Sequence, residues 1–145
     1  MNNGFIILAG GESKRFNSKI PKLYHLYKGK PLLIHSINKA KTYKKFKKIV
    51  LVINKKHLNF IKKLKLENIK VIIGGKTRAE SSYKALKYIN IYNIKNVMIH
   101  DAARPDFSLK LLSINVKKVK KPVPNPTVKR IVIKIFFLIK LPIMR

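Results

Sequence analysis

The chain has 145 residues, 46% of them hydrophobic, which suits a single domain with a real hydrophobic core. Its 34 Lys and Arg residues against 5 Asp and Glu give a formal charge of +29, which attracts polyanions and should weaken the fold at low salt through self-repulsion. The absence of cysteine excludes disulfides and thiolate metal sites, and a reducing cytoplasm is the simplest setting.

The predicted elements alternate between strands and helices. Residues 4–9 form an apolar run that ends at Gly10-Gly11, which predicts a buried strand followed by a turn. The other predicted strands are 48–53, 69–73 and 96–99, and the predicted helices are 31–43, 57–64, 78–89 and 108–119, the last capped by Ser108. This order predicts an α/β fold, a mostly parallel sheet with helices on both faces.

The C-terminal part departs from this pattern. Residues 117–121 are basic, residues 122–126 are rich in proline, and residues 131–138 are apolar without a clear amphipathic period. We therefore divide the chain into an α/β domain at 1–116 and a divergent or truncated tail at 117–145. A last buried strand, a disordered tail and a frameshifted reading of the gene are the three interpretations of this tail.

The first candidate site is the glycine turn after the first predicted strand. Ala9-Gly10-Gly11 would let backbone N–H groups approach a phosphate closely, and Arg15 and Lys22 supply two cations nearby. The spacing is neither the dinucleotide fingerprint nor the P-loop motif. An ordinary turn with surface cations is the alternative interpretation.

The second candidate site follows the predicted strand 69–73. Gly74 and Gly75 lie at a strand end, where open α/β sheets bind ligands, and they leave the backbone accessible to the cleft. Gly75 and Ser81 could contact the edge of a base through backbone and hydroxyl groups. A tight turn in which Ser81 or Ser82 hydrogen-bonds the first helical turn is the alternative.

The third candidate site is His100-Asp101-Ala102-Ala103-Arg104-Pro105. Asp101 follows a buried strand and suits Mg²⁺, which takes few carboxylates together with phosphate oxygens, and Arg104 can clamp a phosphate. The alternative is a local ion pair between Asp101 and Arg104. His100 is interpreted as structural, and the other three histidines, His25, His35 and His57, have no ligand-like spacing.

At these residues the chain resembles the 2-C-methyl-D-erythritol 4-phosphate cytidylyltransferases of the non-mevalonate isoprenoid pathway. The matching motifs are Ala9-Gly10-Gly11-x-Ser13-x-Arg15, Pro21-Lys22, Gly74-Gly75-x-x-Arg78-x-x-Ser81 and the segment 100–105, in the family's order from residue 4 to about 112. The resemblance implies a Rossmann-like, nucleotide-diphospho-sugar transferase fold, with residues 1–116 as its nucleotide-binding part. It also implies transfer of CMP from CTP to the methylerythritol phosphate, with release of pyrophosphate.

The resemblance further implies a role for each site residue. The loop from Ala9 to Arg15, with Gly10 and Gly11, would hold the CTP triphosphate, and Arg15 and Lys22 would be catalytic. The remaining implied contacts are Gly75 and Ser81 with cytosine, Asp101 and Ala102 with the ribose, Asp101 with Mg²⁺ or another divalent cation, and Arg104 and Thr127 with the polyol phosphate. A full-length member would be a homodimer.

Three departures from the family leave alternatives open. The Ala9-Gly10-Gly11 form also resembles molybdenum-cofactor guanylyltransferases, and Lys76 stands where the family often has a small or acidic residue. Resemblance fades after Arg130, which suggests a truncated or frameshifted copy, or a fragment of a fusion with a cyclodiphosphate synthase. The alternatives are a ribitol-5-phosphate cytidylyltransferase and an inactive CTP-binding fragment.

Other partners are less well supported by the sequence. A generic nucleic-acid binder is suggested by charge alone, since lysine is scattered along the chain and no recognised binding motif is present. The apolar stretch 131–143 contains Lys134, Lys140 and Pro142, so it is too short and too charged for a membrane span. Residues 1–4 carry no basic region ahead of an apolar run, so we expect no secretory signal. We expect no specific nucleic-acid partner and no membrane.

Overall fold

A computed structural model describes residues 2–12, 16, 18–94 and 96–118. The strands are β1 (Asn3–Ala9), β2 (Leu26–Tyr27), β3 (Lys30–Pro31), β4 (Phe46–Ile53), β5 (Lys70–Ile73) and β6 (Asn96–Asp101). The α-helices are α1 (Leu32–Thr42), α2 (Leu58–Lys62), α3 (Arg78–Asn90) and α4 (Leu109–Lys118). Short 3-10 helices cover Lys22–Tyr24 and Lys55–His57.

Within the described residues, four parallel strands form the main sheet in the order β5-β4-β1-β6. Ala9 lies opposite Ile53, which lies opposite Ile73 on its other side. Leu8 lies opposite Asp101, so all four strands end at the same edge of the sheet. The chain reverses its direction of travel across the sheet between β1 and β6, and open α/β sheets bind ligands beyond the strand ends at such a point.

Both faces of the sheet are covered by helices. Alternate residues of β1 point to opposite faces, because side chains alternate along a strand. Phe5 and Ile7 belong to a core shared with α1, α2 and α4, whereas Ile6 packs with Ala85 and Ile89 of α3. The predicted parallel sheet with helices on both faces is therefore confirmed. Truncating one of these buried side chains to alanine typically costs about 2–5 kcal/mol of stability.

The predicted elements differ from the observed ones mainly at their ends. Strand β6 continues through His100 and Asp101, whereas the predicted strand covered residues 96–99. The predicted helix 57–64 is a 3-10 turn followed by the shorter α2. The predicted cap of α4 is confirmed, because the Leu111 amide donates to Ser108 Oγ at 3.1 Å.

The small antiparallel pair β2–β3 is an element that the sequence pattern did not predict. Helix α4 runs two residues past the predicted domain end at 116, and the rest of the predicted tail lies outside the described residues. Within the part of the chain that the structure describes, no helix is long and apolar enough to cross a membrane.

Candidate active site

A cleft of about 1050 Å³ lies beyond the common end of the four parallel strands. The residues that follow β1, β4, β5 and β6 all contribute to its walls, together with Lys22 and the first turns of α3. Its volume suits a ligand of nucleotide size. The cleft forms because the strand ends are in register, so sequence segments far apart in the chain meet at one edge.

The charge of the cleft is predominantly positive. Among the residues that the structure describes, six cationic side chains line it, against three acidic ones. The cations are Lys22, Lys55, Lys76, Arg78, Lys84 and Arg104, and the acids are Glu12, Glu80 and Asp101. A concave surface with excess positive charge attracts polyphosphates.

The glycine turn after β1 is held from the side of β4. The Asn54 side chain donates to the Gly10 carbonyl at 3.5 Å, and the His57 ring lies beside the backbone of Ala9. Burial lowers the pKa of His57, although the backbone of Ala9 and the charge of Glu12 act in the opposite direction. A neutral His57 therefore packs beneath the turn.

The turn after β5 is tied to the start of α3. The Gly75 amide donates to Ser81 Oγ at 3.0 Å, and the Lys76 amide donates to Glu80 Oε2 at 2.7 Å. The Glu80 amide in turn donates to Thr77 Oγ1 at 3.1 Å, so Thr77 is the N-cap of this helix. A Cβ on Gly75 would lie 2.3 Å from Glu80 Cβ, so this position has no room for a side chain.

The end of β6 and the turn after it bring the Asp101 carboxylate and Arg104 to the cleft, where Asp101 meets Arg78 of α3. Asp101 Oδ1 accepts hydrogen bonds from Arg78 Nε at 3.2 Å and from Arg78 Nη2 at 3.0 Å. The ion-pair partner of Asp101 is thus Arg78, and the alternative that paired its carboxylate with Arg104 is wrong. Arg104 instead closes the turn through its backbone, since its amide donates to the Asp101 carbonyl at 3.1 Å.

His100 holds the same turn from inside the protein. Its ring is 3% exposed, and Nε2 lies 2.7 Å from the Arg104 carbonyl oxygen. Burial lowers the pKa of His100, with smaller opposing effects from its bond to Arg104 and from Asp101. The neutral ring therefore donates to the carbonyl, and this arrangement supports the structural interpretation of His100.

The structure brings most of the candidate residues from the sequence into one cleft. The cleft is lined by Ala9, Gly10, Gly11, Lys22, Gly75, Ser81, Asp101 and Arg104. Arg15 and Thr127 lie outside the described residues.

Ala102 lies below the cleft instead of lining it. It is fully buried, its amide donates to the Leu8 carbonyl at 2.9 Å, and its carbonyl accepts from Ser36 Oγ at 3.1 Å. The predicted contact of Ala102 with a ribose gains no support from this geometry and stays a prediction.

Several residues of the cleft were not found by sequence reasoning. Asn54 and His57 follow β4. The sequence points to them only because this strand ends at the same edge of the sheet as the other strands. Arg78 stood in a matching motif but was given no role. Lys84, whose Nζ donates to the Gly74 carbonyl at 3.0 Å, carries no motif of its own.

The family model of 2-C-methyl-D-erythritol 4-phosphate cytidylyltransferase matches residues 4–128. The chain belongs to this family. The match covers every described segment that lines the cleft, so the resemblance inferred from the motifs is confirmed. The family match is also consistent with the observed parallel sheet, because solved relatives superimpose on the fold of this chain.

Individual relatives agree with this assignment. A bifunctional enzyme IspD/IspF of Pelagibacter ubique is 69% identical over 120 residues, which are 83% of this chain and 32% of that protein. A 2-C-methyl-D-erythritol 4-phosphate cytidylyltransferase of Thermosipho melanesiensis is 38% identical over 82% of this chain and 55% of its own length. The solved bifunctional IspDF of Campylobacter jejuni superimposes with a TM-score of 0.72 and 32% identity, over 83% of this chain and 31% of that one. The chain thus spans about a third to about half of these relatives.

Proposed function

We propose that this chain binds CTP in the cleft and forms the nucleotide-binding part of a cytidylyltransferase. The reaction would transfer CMP from CTP to 2-C-methyl-D-erythritol 4-phosphate and release pyrophosphate. One observation carries this proposal: the turns after β1, β5 and β6 line one cationic cleft of about 1050 Å³. Family membership supports the choice of nucleotide and acceptor. A cytoplasmic location stays a prediction.

The cleft offers separate surfaces to the parts of CTP. The glycine turn at Gly10 and Gly11 would receive the triphosphate, because Gly11 has open space where a side chain would stand. Gly75 and Ser81 would contact cytosine. The Gly75 amide already donates to Ser81 Oγ, so the hydroxyl proton of Ser81 and the carbonyl of Gly75 have no partner among the described residues and would serve the base.

A divalent cation fits the chemistry of Asp101. No group of three or more His, Cys, Asp or Glu that could hold a metal occurs among the described residues. Mg²⁺ often binds through one or two carboxylates together with substrate phosphates, so Asp101 and the CTP phosphates would hold it together. When bound, the cation would neutralise phosphate charge and align the triphosphate.

The transfer itself needs alignment and charge stabilisation. An oxygen of the acceptor phosphate attacks the α-phosphorus and forms a new P–O bond, while the bond to the oxygen that bridges to the β-phosphate breaks. The leaving group takes the bond electrons as pyrophosphate. Lys22 lines the cleft and would stabilise the charge that grows on the α-phosphate, together with Arg15. Arg104 and Thr127 would hold the acceptor.

The remaining part of a full-length family member would complete the protein. Because the chain spans only part of its relatives, turnover, a homodimer and fusion to a second enzyme are proposals for the longer protein. CTP binding is the part of the function for which the described residues offer the most direct support.

The test measures binding first and turnover second. Isothermal titration calorimetry with CTP, UTP, GTP and ATP in the presence of Mg²⁺ should give the tightest binding for CTP. Pyrophosphate release is then followed with CTP and either 2-C-methyl-D-erythritol 4-phosphate or ribitol 5-phosphate as acceptor. CTP binding without release for either acceptor would identify a binding fragment. Binding that is equal for all four nucleotides and random DNA, and that disappears at high salt, would contradict the proposal.

A further inference from the structure

Arg78 occupies a position that its helix alone does not explain. It is the first residue of α3, directly after the Thr77 N-cap. The positive end of a helix dipole lies there, so an acidic residue is preferred and a cation is locally unfavourable. Its guanidinium reaches Asp101, which is 23 residues away in the chain and at the end of the neighbouring β6. A long-range contact therefore accounts for the arginine at this position.

The geometry of that contact is asymmetric. Both Nε and Nη2 of Arg78 donate to the same oxygen, Oδ1, at 3.2 and 3.0 Å. Oδ2 has no hydrogen-bond partner within the described part of the chain. Two donors on one oxygen fix the rotation of the carboxylate and leave its second oxygen available at the cleft. Arg78 thus orients the Asp101 carboxylate while it uses only one of the two carboxylate oxygens.

We propose that Arg78 is a positioning residue, which holds Asp101 so that Oδ2 is the oxygen given to the divalent cation that accompanies CTP. This inference rests on the proposed function and deepens it. Groups that hydrogen-bond a metal ligand commonly set its orientation and thereby the affinity for the metal. The same arginine begins the helix whose first turn carries Glu80 and Ser81. It therefore connects Asp101, the proposed metal ligand, with the turn at Gly75 and Ser81 that would contact cytosine.

A competing interpretation gives Arg78 the opposite effect. A guanidinium beside Asp101 repels a divalent cation and competes for the carboxylate, so removing it would then tighten metal binding. The two interpretations predict opposite changes in one measurable quantity when Arg78 is removed. This quantity is the gain in CTP affinity that the metal produces. We define this gain as the ratio of the Kd for CTP in EDTA to the Kd in saturating Mg²⁺.

The experiment compares four chains of the same length. Arg78→Gln removes the charge and both donors to Oδ1, while Arg78→Lys keeps the charge but offers one nitrogen in place of two. Lys84→Gln is the matched control, because Lys84 also lines the cleft from α3 but bonds the Gly74 carbonyl instead of a carboxylate. Arg78 is 42% exposed, so its variants should fold, and far-UV circular dichroism checks this.

The readouts are calorimetric Kd values for CTP with Mg²⁺ or EDTA, and the free Mn²⁺ signal in electron paramagnetic resonance with CTP present. We expect Arg78→Gln to lower the metal-dependent gain and the affinity for Mn²⁺ by about 10- to 100-fold, in addition to the loss of metal-free CTP binding that removal of any cleft cation causes. Arg78→Lys should not restore the gain. Lys84→Gln should weaken CTP binding equally with and without metal.

Specific outcomes would overturn the inference. A gain that is unchanged or raised in Arg78→Gln contradicts the positioning role, and full restoration by Arg78→Lys shows that charge alone suffices. If the unmodified chain binds no CTP in either condition, the proposed function fails and this inference fails with it. CTP binding that the metal strengthens equally in the unmodified chain and in Arg78→Gln refutes the inference alone.

Discussion

Lys22 is held at the cleft by its buried neighbours. It belongs to the 3-10 helix Lys22–Tyr24, in which Leu23 and Tyr24 are buried and anchor the turn, while Lys22 itself is exposed and lines the cleft. Such anchoring keeps a flexible side chain near the position of the phosphates and reduces the entropy lost when it engages them.

We therefore predict that Lys22→Ala lowers turnover at least about 100-fold while CTP binding changes far less, because one donor to a transition-state charge is typically worth ~3 kcal/mol. Pyrophosphate release and calorimetric Kd values measure the two effects. Lys19→Ala is the control, since Lys19 is an exposed cation of the same segment that does not line the cleft. Equal losses in both variants would show that general charge, not position, is responsible.

Tyr24 carries a polar group that the fold does not use. Its hydroxyl is buried without a hydrogen-bond partner among the described residues, and burial raises its pKa to about 12. Its ring nevertheless packs well, against Phe60 at 4.7 Å and the edge of His57 at 5.3 Å between ring centroids. The ring therefore stabilises the cleft wall, whereas the hydroxyl carries a desolvation cost.

We predict that Tyr24→Phe leaves the free energy of unfolding unchanged or raises it by about 1 kcal/mol, because it removes an unsatisfied buried group. Urea unfolding followed by circular dichroism measures the difference. Tyr88→Phe is the matched control with the opposite expectation, a loss of about 1 kcal/mol, since Tyr88 Oη lies 2.8 Å from Tyr92 Oη. A clear loss of stability in Tyr24→Phe would indicate a partner for the hydroxyl.

At the scale of single residues, the sequence predicts which positions reach the cleft but not how they pair. Strand ends and glycine turns pointed to Gly10, Gly75 and Asp101, because parallel strands share one carboxyl edge. The pairing of Asp101 with Arg78 depends on the distance between α3 and β6, which no local pattern encodes. The burial of Ala102 likewise follows from its bond to Leu8 across the sheet.

The first turn of α3 holds the part of the cleft that would contact cytosine, the turn at Gly75. Gly75 approaches Glu80 so closely that an added Cβ would lie 2.5 Å from its Oε2, the atom that accepts from the Lys76 amide. A side chain at this position must therefore displace either the turn or the start of the helix. Gly11, in the other glycine turn, has nothing within 4 Å of the same added atom.

This contrast gives a paired prediction. Gly75→Ala should lower the free energy of unfolding by about 1–3 kcal/mol, as forced insertions into packed sites do, and should weaken CTP binding. Gly11→Ala should leave stability nearly unchanged. Thermal and urea unfolding of the two variants measure the difference. Equal stabilities would mean that the turn after β5 adapts freely, which contradicts its role as a rigid wall.

Long elements were easier to predict than short ones. Strands β1 and β4 contain the continuous apolar runs 5–9 and 49–53, and α3 has a helical spacing of its apolar residues, so period and length identified them. The pair β2–β3 has two residues per strand, and its turn places Lys28 and Gly29 at φ 48° and 76°. The usual Asn-Gly signal for such a turn is absent, so the pattern gave no indication of it.

The whole molecule combines a large positive charge with very few acidic groups. Because only 5 Asp and Glu residues are present, protonation of carboxylates contributes little to its pH dependence. His57 is buried beneath the turn after β1 and His100 is buried within β6, and burial lowers the pKa of each below the ordinary value of 6.5. In the unfolded chain both rings return to that ordinary value.

The sign of the pH effect follows from this difference. Between the folded and unfolded pKa values the unfolded chain binds more protons, so the free energy of unfolding falls as the pH drops below about 6.5. The stabilisation that the neutral rings provide is fully present above that pH and is lost progressively toward the lowered folded values. We expect the two turns beside these rings, at Ala9 and at Arg104, to loosen together.

Urea unfolding at pH 7.5, 6.5 and 5.5, in buffers of one fixed ionic strength, tests this prediction, because changes of salt would alter the self-repulsion of the +29 chain. His100→Gln and His57→Gln should each reduce the slope of stability against pH, and together they should nearly remove it. Stability that stays constant or rises as the pH falls would contradict the assignment of two buried neutral rings. A slope that both variants leave unaltered would place the titrating groups elsewhere in the chain.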